Sequence, residues 1–323
     1  MWRSCFPYVA LLFFHVALEA AAAERLQTYS VRGETHVSVE QWARSKDFSF
    51  SWDRANKVVY LKSGWAKLSF FINSKKATYN GLSLWLSTPV TPNGNSVLIS
   101  QRDLDKTILP ILYPAKMTRG RSIKTIMIAA GHGGKDPGYQ INKEQEKKYT
   151  LLLAKALKEA LGAAGFRVLL TRETDVFVDL GEQAARANRA GADLFINLHY
   201  NAAVETEASG VETYCLTPAG AISTNGGSPT PRSVGHRQDQ FNPLLAYHIH
   251  KALTSTCAFP DRGLRRAAFQ VLREINMPGV LIEGGFLSNA QDAAKITSPA
   301  HRRLVARAMV DGILSYKRMV ERK

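Results

Sequence analysis

The chain has 323 residues, 45% of them hydrophobic and 21% charged, a balance that excludes global disorder and supplies a core for one or two domains. Its net charge of +15 favours an anionic partner, such as nucleic acid, a membrane surface or an acidic wall polymer. Beyond the N-terminus no stretch is long and apolar enough to cross a bilayer, so no stable membrane span is expected.

The first element in chain order is a leader. Arg3, an apolar run over 6–18 and the small residues Ala20 to Ala23 form a charged start, an apolar middle and a cleavage zone. This pattern predicts a secretory signal peptide over residues 1–23, and hence a periplasmic or secreted protein. Cys5 leaves with it. Cys215 and Cys257 remain, and the sequence leaves open whether they pair or stay as two buried thiols.

Residues 24–115 read as a small α+β domain. Short β-rich runs lie at 48–52, 58–61, 68–72 and 83–86, with a turn at 53–56 and a hairpin signal at Asn80-Gly81. A helix is predicted over 39–44, and Pro89, Pro92, Asn93 and Gly94 mark a loop. The pattern resembles the stalk-type domain at the N-terminus of copper amine oxidases, which also occurs in wall-associated bacterial proteins; the resemblance implies no copper. Residues 116–122, basic and carrying Gly120, read as a linker.

From residue 123 to 323 strands and helices alternate. A strand over 123–130 precedes a helix over 145–164, whose Leu153, Leu157 and Leu161 share a face and which Gly165 ends. A strand over 166–171 follows, then a helix over 179–190 opened by Asp179 and Glu182. Strands are expected at 194–199, 211–216, 269–272 and 280–283. Asn242-Pro243 opens one more helix, with Asn242 as cap, and Ser298-Pro299 opens the last. The alternation predicts an α/β fold: a mostly parallel twisted sheet with helices on both faces.

Polar groups sit where such a sheet collects ligands, just past apolar strands. His132 lies in Gly131-His132-Gly133-Gly134, His199 in Leu198-His199-Tyr200-Asn201, and Glu283 in Ile282-Glu283-Gly284-Gly285. Glu146 stands at the start of the 145–164 helix, with Glu144 as its competitor. Two histidines and a carboxylate form a catalytic zinc set with an open position for water, and a buried glutamate beside it suits a general base. HExxH is absent, which excludes the common helix-borne zinc protease layout.

Several ordered stretches carry a family resemblance: GHGGKDPG at 131–138, EKKYTLLLAKAL at 146–157, ARANRAGADLFINLHYNA at 185–202, GVETYCL at 210–216, DRGLRRAAFQVLRE at 261–274 and MPGVLIEGGFLSN at 277–289. From residue 126 to about 316 the chain resembles the zinc-dependent N-acetylmuramoyl-L-alanine amidases of the type-3 catalytic domain. The resemblance implies that His132, Glu146 and His199 bind zinc and that Glu283 is the catalytic glutamate. It implies that Asn201 and Asn289 bind or support substrate near the cleft. The expected reaction is hydrolysis of the amide between N-acetylmuramic acid and L-alanine in peptidoglycan, by zinc-activated water with Glu283 as base. The alternatives are a zinc peptidase acting on wall peptides and a catalytically silent wall-binding protein.

The chain also departs from the family pattern. Ala129-Ala130 replaces the usual Asp-Pro, Asn197 stands where a serine is frequent, and the loop from His132 to Glu146 is about one residue short. The Gly-, Ser- and Pro-rich segment 217–240 lacks helical periodicity, so it is expected as a mobile loop at the cleft rim rather than a plug helix. Expected partners are peptidoglycan and an activator protein, not nucleic acid, and the chain is read as a monomer.

Overall fold

A computed structural model describes residues 26–114 and 122–321. The leader over 1–23, Cys5 and linker residues 116–121 lie outside the described residues. The N-terminal region contains β1 (Thr28–Val31), β2 (Glu34–Ser38), α1 (Val39–Arg44), β3 (Ser49–Asp53), β4 (Val58–Lys62), β5 (Lys67–Phe71), β6 (Ser74–Tyr79), β7 (Leu82–Asn93) and β8 (Ser96–Ser100). A helical stretch then runs through α2 (Gln101–Asp103), a π turn (Leu104–Ile108) and α3 (Leu109–Leu112). The C-terminal region contains β9 (Thr125–Ala130), a small hairpin of β10 (Gln140–Ile141) and β11 (Glu144–Gln145), α4 (Glu146–Ala163), β12 (Arg167–Leu170), α5 (Leu180–Arg189), β13 (Leu194–Asn201), β14 (Val211–Leu216), α6 (Asn242–Thr256), β15 (Asp261–Ala267), α7 (Gln270–Glu274), β16 (Gly279–Phe286), α8 (Ala290–Thr297) and α9 (Pro299–Val320).

The predicted α/β class holds. Strands β12, β9, β13 and β16 lie side by side and parallel. Their apolar runs are nearly continuous because helices cover both faces. One face packs against α4, α6 and α9, whose stripes include Leu153, Leu157 and Leu161 on α4. The other face packs against α5 and α7 through Met127, Phe195, Ala187 and Leu272. Asp179 caps α5 by accepting from Gly181 N, and Ser298 caps α9 by accepting from His301 N. Among the described residues no helix is long and apolar enough to cross a membrane. Cys215 and Cys257 are separate buried thiols.

Sheet order beyond β16 is where expectation and structure part. β14 joins β16 antiparallel, β15 joins β14 in parallel, and β15 meets β7 of the N-terminal region at Leu264↔Leu84. One sheet therefore continues from the α/β layers into the meander β7-β6-β5-β4-β3. The expected strand at 269–272 is corrected: strand β15 ends at Ala267, and residues 270–274 form α7, which packs on α5. Asn242 is the first residue of α6, not its cap, and its Oδ1 accepts from Gly279 N at 3.0 Å.

Segment 217–240 is also relocated. Because β14 runs against β16, it carries the chain away from the edge where His199 and Glu283 lie. Gly220, Ala221 and Pro229 instead line a cleft with Arg32 and Arg102 of the N-terminal region, and Lys75 Nζ donates to Ser223 O. A 3-10 turn over Val234–Gln238 is pinned where His236 Nε2 donates to Thr217 O at 3.1 Å.

The junction between the two regions rests on polar contacts from β15. Asp261 accepts from Ser83 N and from His250 Nε2, both at 2.8 Å, and Trp85 Nε1 donates to Arg262 O at 2.9 Å. Buried Arg266 donates to Lys106 O and Thr107 Oγ1. Burial pushes the Asp261 carboxyl up, but the hydrogen bonds from His250 and Ser83 outweigh it and hold it below the usual range. A carboxyl lowered in the folded state stabilises fully above its unfolded value, and that stability is lost as pH falls through the folded value. Asp261→Asn is expected to cost roughly 1–3 kcal/mol at neutral pH, with the gap from wild type closing as pH falls from the unfolded carboxyl value through the lowered folded one. Thermal melts across that range measure it.

Candidate metal centre

His132 follows β9, Glu146 opens α4 and His199 ends the straight part of β13, so three separate elements deliver the donors. Their ligand atoms lie within 4.8 Å of one another. The Glu146 carboxylate stands between the rings: Oε2 is 3.0 Å from His132 Nε2, and Oε1 is 3.1 Å from His199 Nδ1. The rings meet edge to face with centroids 4.9 Å apart. Glu144 is not part of the group; half-buried, it bonds Lys148 and Tyr149.

Local sequence explains the convergence. His132 takes a left-handed backbone, φ 62°, which turns the chain sharply at the strand end. Gly131 is required because the His199 ring lies over it: a Cβ there would sit 2.3 Å from a ring carbon. Gly138 passes equally close to Glu146 and His132. Arg172, buried, ties these pieces together: its Nε donates to Ala130 O, and its Nη2 to Gly131 O and Lys147 O. Thr150 Oγ1 on α4 adds a bond to Gly131 O at 2.7 Å.

Glu146 is 4% exposed and accepts also from Tyr139 N and Tyr200 N, both at 3.0 Å. Burial alone would raise its pKa, but the hydrogen bonds and charges of His132 and His199 hold it far below the usual carboxylate range. It is therefore an anion at any working pH. Asp136 accepts from His132 Nδ1 at 2.8 Å, which fixes that ring's tautomer and leaves Nε2 to face Glu146. Two imidazole nitrogens and a permanently ionised oxygen suit a divalent transition metal with an open coordination position. Asp136 lies within the GHGGKDPG stretch, but sequence alone assigned no role to it or to Arg172.

Glu283 lies on β16 as the register partner of His199, and Glu212 on β14 is its partner on the other side. Glu283 shares a cavity of about 430 Å³ with His132 and His199; Phe177, Leu180, Phe269 and Val271 form its walls. Its Oε2 is buried without a hydrogen-bond partner. Burial first, then the charges of Glu146 and Glu212, push its pKa well above the usual range. Glu212 is compensated: Arg262, Arg265, Tyr214 Oη and Asn201 Nδ2 all bond it.

The remaining two expected site residues do not line this cavity. Asn201 holds Glu212 at 3.2 Å. Asn289 caps α8, accepting from Gln291 N and Asp292 N, and its Nδ2 donates to Thr206 O. Ala129 and Asn197, two departures from the family pattern, prove to be register partners on β9 and β13.

The order and spacing of these residues recur in known proteins. Residues 126–315 match the family model described as N-acetylmuramoyl-L-alanine amidase, and residues 19–108 match that of the copper amine oxidase N-terminal domain. The amidase LytC of Bacillus subtilis (strain 168) is 34% identical over 195 residues, covering 60% of this chain and 36% of LytC. The match thus spans about a third of LytC's length. The catalytic domain of CwlV, an amidase from Bacillus (Paenibacillus) polymyxa var. colistinus, superposes with a TM-score of 0.51 at 30% identity, covering 60% of this chain and 98% of that domain. CwlD of Clostridioides difficile, solved in complex with the GerS lipoprotein, superposes with the same TM-score at 25% identity, covering 60% of this chain and 98% of CwlD. With more than half of its length matched, and the matched half built as that fold, this chain belongs to the N-acetylmuramoyl-L-alanine amidase family.

Proposed function

We propose that the protein is a secreted, zinc-dependent peptidoglycan hydrolase that cleaves the amide between N-acetylmuramic acid and L-alanine. The observation that carries this reading is the clustering of His132, Glu146 and His199 beside a cavity that the two histidines share with Glu283, whose Oε2 is buried without a hydrogen-bond partner. In this reading His132, Glu146 and His199 hold the zinc. When bound, the ion supplies Lewis acidity that polarises the scissile carbonyl and makes water acidic enough to attack near neutral pH.

The chain's own residues do the rest. Glu283 takes the proton of the attacking water and delivers it to the leaving nitrogen of L-alanine as the C–N bond breaks. Burial and the neighbouring carboxylates Glu146 and Glu212 make Glu283 a strong enough proton acceptor for that transfer. Asp136 keeps His132 in one tautomer, and Arg172 fixes the β9 exit against α4, so the donors are preorganised. Asn201 and Asn289 support the cleft through Glu212 and α8.

The leader over 1–23 directs export to the cell envelope, where the cationic surface meets an acidic wall. Residues 24–115, joined through the linker 116–122 to the catalytic region over 123–323, position the enzyme on the wall. The complex of CwlD with a lipoprotein makes an activator protein a reasonable partner for a monomer of this chain.

Digestion of purified peptidoglycan with mass spectrometry of the products is the direct test. Release of stem peptides beginning with L-alanine, lost on chelation and restored by zinc, is expected; cuts within the peptide would sink the reading. Glu283→Gln should lower the rate by about 10²–10⁴-fold while bound zinc, read by atomic emission, stays at the wild-type level. Asp136→Asn is expected to weaken zinc binding by about 10–100-fold in competition titrations. Gly131→Ala, which drives a methyl into the His199 ring, should do so at least as strongly.

A further inference from the structure

Beyond the metal end, the cavity holds two amide side chains that the fold leaves unsatisfied. Asn197 stands two residues before His199 on β13, so strand alternation puts both side chains on the same sheet face. It is 1% exposed, lines the cavity, and neither its Oδ1 nor its Nδ2 has a partner among the described residues. Its register neighbours are Ala129 and Leu281, which offer no polar side-chain atom. Gln183 on α5 is 2% exposed and lines the same cavity. Its Nε2 donates to Val178 O at 3.0 Å, which fixes the side chain, and its Oε1 has no partner.

Buried amides are almost always paired, because losing water without a replacement bond is costly. One unpaired amide and one half-paired amide in one cavity, beside the reacting centre, describe a site finished by a ligand. The ligand must bring both a donor and an acceptor, and otherwise be apolar enough for walls made by Val178, Phe269, Val271 and Leu281. A residue of an extended peptide fits: its own N–H and C=O face the same side of the backbone, as in a strand pair. A sugar ring fits poorly, since its several hydroxyls would face those apolar walls.

We propose that Asn197 and Gln183 form a peptide subsite. Asn197 pairs with the N–H and C=O of one extended residue of the stem, on the L-alanine side of the scissile bond, and Gln183 Oε1 accepts a second N–H. Asn197 is thus a substrate-positioning group on the strand that bears His199. The proposal rests on the amidase reading above and extends it to how the peptide is held.

The test uses the full zinc-loaded chain, titrated calorimetrically with a synthetic stem tripeptide beginning with L-alanine and, separately, with peptide-free glycan strands. Asn197→Leu removes both hydrogen-bonding atoms at nearly constant size, Asn197→Ser keeps a smaller polar group, and Gln183→Met removes Oε1. Wild type is expected to bind the tripeptide, and Asn197→Leu to weaken it at least tenfold, with zinc content unchanged. The thermal midpoint of Asn197→Leu should equal or exceed wild type, because an unpaired amide contributes no stability. A lower midpoint with unchanged tripeptide binding in both Asn197 variants would mark the amide as structural, held by internal water, and overturn the proposal. Loss of glycan rather than tripeptide binding would overturn it too. Peptidoglycan cleavage with Asn197-independent peptide binding would leave the amidase reading standing and remove the subsite. Asn197-dependent peptide binding without any cleavage would do the reverse.

Discussion

The Glu146 carboxylate is the constraint around which the catalytic half is arranged. It is nearly sealed from water, yet it stays ionised, because two histidines and the N–H groups of Tyr139 and Tyr200 surround it. Those partners come from the β10 approach, β9 and β13, and Glu146 itself opens α4. An anion placed there without them would carry a desolvation cost of several kcal/mol. The loop geometry follows from that requirement: a left-handed His132, a glycine under the His199 ring, and Arg172 bonding three carbonyls around the β9 exit.

The same logic explains a carboxylate-rich interior in a strongly cationic protein. Glu146, at the start of α4, and Glu212, on β14, both bear electrostatically on Glu283 of β16. Glu146 is balanced by imidazoles and Glu212 by Arg262 and Arg265. Glu283 alone has no cation beside it, and an uncompensated buried carboxyl favours its protonated form. A group that releases and regains a proton at modest cost is what acid-base work on an amide requires. The arginines that neutralise Glu212 belong to β15, the strand that also meets the N-terminal region, so the charge balance of the site and the docking of the two regions share one element.

That strand also shows where sequence patterns lose their force. Asp261-Arg262-Gly263-Leu264-Arg265-Arg266-Ala267 has little apolar content and three arginines, and nothing local marks it as a strand inside a large sheet. Each arginine is satisfied by a distant group: Glu212 for Arg262 and Arg265, and Lys106 with Thr107 for Arg266. The neighbouring Val271 and Leu272 read as strand residues because short apolar runs look alike in both states. Packing against α5 decides for helix there. Likewise segment 217–240 carries loop chemistry plainly enough, but its place against the N-terminal region follows from the direction of β14, which no local pattern encodes.

Sequence by itself determined the α/β class, most elements with long apolar periodicity, and the residue types of the candidate metal group. These are local properties: apolar spacing, caps such as Asp179 and Ser298, and histidines set among glycines at strand ends. Family resemblance chose Glu146, and tertiary structure then placed it, not Glu144, between the two histidines. Only the tertiary structure decided that Asp136 orients His132, that Arg172 braces the β9 exit, that Asn289 is committed to α8, and that Asn197 lies unpaired in the cavity. Each of those roles depends on which groups from distant elements arrive within hydrogen-bond range, and that is fixed by strand order and register, which sum over the whole chain rather than over any window of it.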